Sequence, residues 1–144
     1  MTVLTFLSDY GPGDEYVGVV HGVIARIAPG VRVIDLGHGV PPQDVRTGAR
    51  RLARALPYTP AGVHLAVVDP GVGGTRRAIA ARAGERWLVG PDNGLLSVVA
   101  ARAKACAYWR ITWRPGRTAA AARIPCSTPS TTGARTPRRL ARWA

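Results

Sequence analysis

HLAVVDPGVGGTRRAIAARA, residues 64–83, runs from one apolar segment to the next through an acid, a glycine-rich turn and two arginines. Three readings compete for it: a phosphate cradle, a bare turn, or a loop that presents catalytic groups. Glycines stand at 71, 73 and 74. A dinucleotide fingerprint needs its glycines to open a helix, and the residues that follow here read as a strand. No Gly-Lys-Ser/Thr occurs, so a Walker-type cradle fails as well. A tight loop remains, which sets Asp69 and, seven residues on, Arg76 where their side chains can meet. A surface hairpin with a solvated arginine pair stays open as the plainer alternative.

The flanking segments set this loop in a larger pattern. Val3–Leu7 reads as a buried strand that ends at Ser8-Asp9 and turns at Gly11-Pro12-Gly13. Asp14 and Glu15 then open a helix, where acids complement the helix dipole. Val17, Val20, Ile24 and Ile27 recur at helical spacing up to Pro29-Gly30, and Gly18 and Gly22 would let that helix approach a sheet closely. VRVIDLGH is a second strand and Pro41-Pro42 a turn. Asp44 is an N-cap for a helix with Val45, Ala49, Leu52, Ala53 and Leu56 on one face. AGVHLAVVD is a third strand. Strand and helix in alternation predict a parallel sheet with crossover helices. RAIAARA and RWLVG, separated by Gly84-Glu85, predict a hairpin, and PDNGLLSVVAARA turns into a short helix. The predicted class is α/β, a mostly parallel sheet with flanking helices.

A chain of 144 residues supports one domain with its own core. Hydrophobic residues make up 47% and aromatics only 6%, so the core is built mainly from Val, Leu, Ile and Ala. The net charge of +12 would suggest nucleic acid or an anionic surface, but its distribution argues otherwise. All 8 acidic residues lie before residue 101, whereas half of the 20 Lys and Arg lie after residue 100. The basicity therefore belongs to a tail. Beyond about Trp113 apolar periodicity stops and Arg, Ala, Pro and Thr dominate, which predicts a poorly ordered basic segment. Its only aromatic is Trp143, poor material for stacking on bases, and nucleic acid is disfavoured. Cys106 and Cys126 have no nearby His and fit neither a metal site nor a disulfide framework. The N-terminal apolar run lacks a basic lead-in and is broken by Asp9, against a signal peptide or membrane span; the expectation is a cytoplasmic protein.

Ligands of open parallel sheets sit beyond the carboxyl ends of the strands, and Asp9, Asp35 and Asp69 all fall at or near such ends. Each alone could be a turn or capping residue, but three converging on one edge point to a site.

Taken together, FLSDYGPGDEYVG, DLGHGVPPQDV, VVDPGVGGTRRAIA and GPDNGLLS, in this order and at these separations, resemble the S-adenosyl-L-methionine hydroxide adenosyltransferase family, the adenosine-forming S-adenosylmethionine hydrolases related to fluorinases and chlorinases. The resemblance covers roughly residues 2–100. It implies an N-terminal α/β domain followed by a smaller β-barrel, assembled as a homotrimer with active sites between subunits. The implied reaction is attack of water or hydroxide at the ribose C5′ of S-adenosylmethionine, releasing methionine and adenosine. S-adenosylmethionine is then the substrate, with no cofactor and no metal. Of the family's catalytic Asp, Arg and His, Asp69 and Arg76 match the first two. Asp9 matches the acid that binds the ribose hydroxyls, and Asp14, Glu15 and Tyr16 match a further substrate-contacting segment, although Asp14 could equally be a helix cap. His38 recurs in the pattern and, like His21 and His64, is read as structural; Asn93 is read as a turn residue.

The chemistry suits those residue types. Methionine departs from a sulfonium as a neutral thioether and needs no acid, so the work is to position and partly deprotonate a water in line with the C5′–S bond. An Asp69 that pairs with Arg76 is an orienting group more than a strong base. In the halogenating relatives the position of Asp69 is a tyrosine and that of Gln43 a tryptophan, so a carboxylate here favours water over halide.

The pattern breaks after residue 100. No histidine follows His64, so the third catalytic position has no match, and CSTPSTTGARTPRR stands where a Thr-Phe-His-Gly-Arg-Asp type of segment is expected. With freely chosen codons, residues 127–135 can be reread in another frame as a segment containing Phe-His-Asp-Gly-Arg. The expectation is a truncated or frameshifted N-terminal domain over residues 1–113, a basic low-complexity tail over 114–144, and no barrel domain. Two functional classes stay open: an S-adenosylmethionine hydrolase of impaired activity, or a non-catalytic nucleoside-binding remnant or basic-tail nucleic-acid-binding module.

Overall fold

The computed structural model describes residues 2–103, 106–112 and 120–124. In chain order it forms β1 (Val3–Ser8), α1 (Tyr16–Ile27), β2 (Arg32–Gly37), α2 (Val45–Ala55), one 3-10 turn (Leu56–Tyr58), β3 (Val63–Val67), β4 (Ala78–Ala83), β5 (Arg86–Pro91), α3 (Ser97–Arg102), β6 (Cys106–Thr112) and β7 (Ala120–Ile124). The strands make one seven-stranded sheet in the order β2-β1-β3-β5-β4-β6-β7. β2, β1, β3 and β5 run parallel, while β4, β6 and β7 extend the sheet in antiparallel pairs.

The connections explain where a site can form. From β1 the chain crosses through α1 to β2 on one side, then returns through α2 past β1 to β3 on the other. Crossovers of the same hand running in opposite directions leave their helices on opposite faces. Phe6 turns its ring toward α1, 6.4 Å from that of His21, whereas its neighbour Leu7 joins the buried cluster with Leu52 and Ala53 of α2. Alternate residues of a strand face opposite ways, so α1 and α2 sandwich β1. The connections leaving β1 and β3 run toward opposite sides of the sheet, which makes their carboxyl ends a topological switch point, the place where open sheets bind ligands.

Of the helices, α2 contributes most to the core. Asp44 caps it as the sequence predicts, its Oδ1 accepting the Thr47 N–H at 2.9 Å and its Oδ2 the Thr47 hydroxyl at 2.6 Å. Ala49, Leu52 and Ala53 are buried, and Gly48 is buried too, a position the apolar pattern does not pick out. A Cβ on Gly48 would stand 2.8 Å from Leu95 Cδ1, so the missing side chain is what lets the helix settle on Leu95. Leu52, Leu88 and Leu95 are fully enclosed, each stabilising the fold by about 2 kcal/mol through removal of apolar surface from water.

α1 differs from expectation. The helix begins at Tyr16, so Asp14 and Glu15 precede its first turn and do not form part of it. Val17, Val20 and Ile24 are half-buried, but Ile27 at the last position is 74% exposed. Gly18 and Gly22 do not approach the sheet: they are exposed, and a Cβ on either would meet nothing within 4 Å. The reason is angular, since residues one step from the sheet-facing positions lie about 100° around the helix. No helix among the described residues is long and apolar enough to cross a membrane.

The predicted hairpin forms between β4 and β5, with Gly84 at φ +65° in the turn. β6 and β7 are additions that the sequence pattern did not announce. β7 lies inside the segment read as a poorly ordered tail; the remainder of that segment, with Cys126, lies outside the described residues.

Near the amino end of β3, away from the edge that carries the acids, His64 is wholly buried and its neutral form is held in place. Arg86 Nη1 lies 3.3 Å from His64 Nε2, and a guanidinium can only donate, so Nε2 accepts. Nδ1 then carries the proton and donates to Thr5 Oγ1 at 2.8 Å. Burial, reinforced by the Arg86 charge, pushes the imidazole down to about 4.

Candidate functional site

The edge at the switch point is built from the residues that leave β1 and β3. Asp9 follows β1 directly, and its N–H donates to Val67 O at 3.3 Å, which ties the two strand ends together. Asp69 lies two residues past β3. The loop after it is shaped around its carboxylate: Gly71 N–H donates to Oδ1 at 3.1 Å, and Arg76 Nε forms an ion pair with the same oxygen at 2.9 Å. Asp69 Oδ2 has no hydrogen-bond partner among the described residues. The side chain of Asp69 is only 16% exposed and that of Arg76 33%, so the pair is partly withdrawn from water yet reachable from one side. Gly71 leaves room for the Arg76 guanidinium: a Cβ there would stand 2.5 Å from Nη2, and the arginine would have to shift. Gly73, at φ +82°, supplies the left-handed turn. The strand that follows begins at Ala78, which rules out a helix-opening phosphate loop.

Asp9 is held by a residue far away in sequence. Gln43 N–H donates to Asp9 Oδ2 at 2.8 Å, and Oδ1 has no hydrogen-bond partner among the described residues. Tyr10 continues the rim, its ring 6.2 Å from Phe6 and 5.8 Å from Tyr16. Burial raises the Tyr10 phenol above its ordinary value, with Asp9 and Asp14 adding to the shift, so it stays a neutral hydrogen-bond donor. Asp14 Oδ1 accepts the Tyr16 N–H at 2.8 Å from one residue ahead of the helix N-cap, Glu15, which makes no side-chain cap bond. Glu15 is exposed and its carbonyl accepts the Val19 N–H. Tyr16 is 57% exposed and reaches the rim only through Tyr10.

A polar relay lies behind Asp9. Ser8 Oγ is 2.8 Å from His38 Nδ1, and Tyr10 N–H donates to the same hydroxyl at 3.4 Å. Asp35 Oδ1 accepts from His21 Nε2 at 2.9 Å, while His38 Nε2 lies 3.1 Å away but off the line of a hydrogen bond. Burial opposes the Asp35 charge, but the contacts from His21 and His38 outweigh it and hold the carboxyl below its ordinary value. Asp35 is thus engaged with histidines, and the site edge belongs to Asp9 and Asp69. Asp92, at the end of β5, is bound by Arg77, whose Nε donates to Oδ2 at 2.9 Å. Asn93 holds the loop shape: its Nδ2 donates to Val68 O at 2.8 Å and its Oδ1 accepts the Leu95 N–H at 3.0 Å. Among the described residues no group of three or more His, Cys, Asp and Glu is arranged to hold a metal ion.

The contacts of Tyr10, Gln43 and Ser8 with the site were not read from the sequence. Tyr10 and Ser8 stand inside LSDYG beside Asp9, a signal that was available; the Gln43 contact comes through its backbone and leaves no trace in residue type.

An α/β domain whose switch point is edged by an Asp–Arg ion pair and a second acid is an arrangement for binding a small polar ligand. The chain matches the S-adenosylmethionine hydroxide adenosyltransferase N-terminal domain over residues 4–126 and belongs to that family. It is 62% identical over 98 residues to an (R)-S-adenosyl-L-methionine hydrolase of Salinispora tropica, covering 68% of this chain and 38% of that protein. It is 57% identical over 100 residues to the (R)-S-adenosyl-L-methionine hydrolase of Thermus thermophilus, again covering 68% of this chain and 38% of the relative. A crystal structure of a conserved hypothetical protein, also from Thermus thermophilus, superposes with a TM-score of 0.71 at 48% identity, over 81% of this chain and 48% of that one. The chain therefore spans well under half the length of the curated relatives it matches.

Proposed function

We propose that this chain is the catalytic-face domain of an adenosine-forming S-adenosyl-L-methionine hydrolase, with Asp69 and Arg76 as catalytic residues. The observation that carries the reading is the Asp69 carboxylate, fixed on Oδ1 by Arg76 and Gly71 and open on Oδ2, beside Asp9 at the switch point. A water accepted by Oδ2 is aimed by a group that cannot turn. As its oxygen bonds to C5′, the C5′–S bond breaks with its electron pair passing to sulfur, methionine leaves neutral, and the proton passes toward the carboxylate. The Arg76 guanidinium, 2.9 Å from Oδ1, keeps that oxygen engaged and leaves Oδ2 for the water. Asp9 binds the ribose diol, Tyr10 closes the rim, and Asp14, Glu15 and Tyr16 belong to the same substrate-binding side.

No histidine follows His64 in these 144 residues, so the third member of the family set has no counterpart here, and turnover is expected to be slow or nil. That same fact supports a second reading, a nucleoside-binding domain without turnover. Homotrimer assembly with a neighbour completing the pocket, a basic tail without a nucleic-acid partner and a cytoplasmic location complete the proposal. The test is chromatographic measurement of adenosine released from S-adenosylmethionine. Release above the blank that disappears in Asp69→Asn supports hydrolysis. Adenosine binding that Asp9→Asn weakens, with no release, selects the second reading, and neither release nor binding refutes both.

A further inference from the structure

Gln43 is the only non-glycine residue with a left-handed backbone among the described residues, at φ +66°. Glutamine gains nothing in that region, which costs any residue with a Cβ, and such conformations persist only where surrounding structure imposes them. Here the imposing elements are on both sides. Pro41-Pro42 precede it with restricted backbones, and Asp44 follows as the α2 cap, its N–H donating to Pro41 O at 3.0 Å. The left-handed turn between them points the Gln43 N–H at Asp9 Oδ2, 2.8 Å away. A residue in the ordinary right-handed region would turn that donor elsewhere.

We propose that Gln43 is a positioning residue whose strained backbone N–H locks the Asp9 carboxylate for a vicinal diol. One oxygen is anchored and the other is left open, so the carboxylate presents a fixed plane to a ribose. Gln43 acts through Asp9 and through its backbone, so its side-chain type matters only through the conformation it permits. This inference rests on the reading of Asp9 as the ribose acid.

The experiment pairs a ligand-free measurement with a binding one, on the full 144-residue chain. Without ligand, the Gln43 amide is expected to be protected from hydrogen exchange in the native protein and to lose that protection in Asp9→Ala; an amide equally labile in both overturns the inference. With ligand, affinities for adenosine and 2′,3′-dideoxyadenosine are compared. Gln43→Val, which resists φ > 0, is expected to weaken adenosine about tenfold, the worth of one charge-assisted hydrogen bond, while leaving the dideoxynucleoside unchanged. Gln43→Gly and Gln43→Asn, which accept the left-handed region and keep the N–H, are expected to bind as the native chain does. Equal weakening of both nucleosides in Gln43→Val, or loss of adenosine in Gln43→Gly, overturns the positioning role. Native protein that binds the two nucleosides equally refutes the ribose reading of Asp9 instead, and the positioning role falls with it.

Discussion

Lowering the pH from 7 to 5 should unload the fold through one buried group. His64 is wholly enclosed, accepts from Arg86 and donates to Thr5, and its folded-state value is near 4 against an ordinary 6.5. The folded value is the lower one, so the unfolded chain binds more protons and stability falls as pH falls. The contribution is complete above about pH 6.5 and is lost progressively down to about pH 4. At pH 5 an unfolded histidine is almost fully protonated while the folded one is about one-tenth so; linkage converts this to about 2 kcal/mol lost between pH 7 and 5, and about 3 kcal/mol by pH 4. Urea unfolding at 25 °C, at pH 7, 6 and 5, measures the loss directly. His64→Gln can still bond both neighbours but cannot titrate, and it should flatten the profile by that amount even if it is less stable throughout. Equal pH profiles for the two proteins would refute the assignment of a neutral, trapped His64.

Three other perturbations test the framework. Gly62→Ala puts a Cβ 2.3 Å from the Val3 carbonyl oxygen, a backbone atom that cannot swing aside, and should destabilise by about 1–3 kcal/mol in urea. Asp44→Ala removes the acceptor for both Thr47 donors and should cost about 1 kcal/mol by the same assay, with helix content by circular dichroism falling only slightly. Leu52→Ala empties a fully buried position under the sheet and should cost about 2–5 kcal/mol, seen as an earlier urea midpoint with an unchanged slope.

Asp69 and Asp9 each accept a backbone N–H on one oxygen at the carboxyl ends of β3 and β1, whereas Asp35 is engaged by His21, Asp44 by Thr47 on both oxygens, and Asp92 by Arg77.

Local chemistry made much of this legible in advance. Apolar runs bounded by Gly, Pro and Asp marked β1, β2, β3 and the β4–β5 hairpin, because strand ends and turns depend on near-neighbour sterics and hydrogen bonding. Asp44 was recognisable as a cap because its partner is three residues away, and Asp69 with Arg76 as a pair because one short loop joins them. Tertiary structure alone decided the rest. The sequence order of β4 and β6 gives no hint that they pair edge to edge, nor does an alanine-rich segment such as residues 120–124 declare itself a strand, since pairing partners and not propensity stabilise it. The outward turn of Gly18 and Gly22 follows from how α1 rests on β1, and the anchoring of Asp9 by Gln43 joins residues 34 apart through a backbone conformation. Composition and spacing carry what neighbours along the chain impose, while contacts made across the sheet and through backbone N–H groups exist only once the chain has closed on itself.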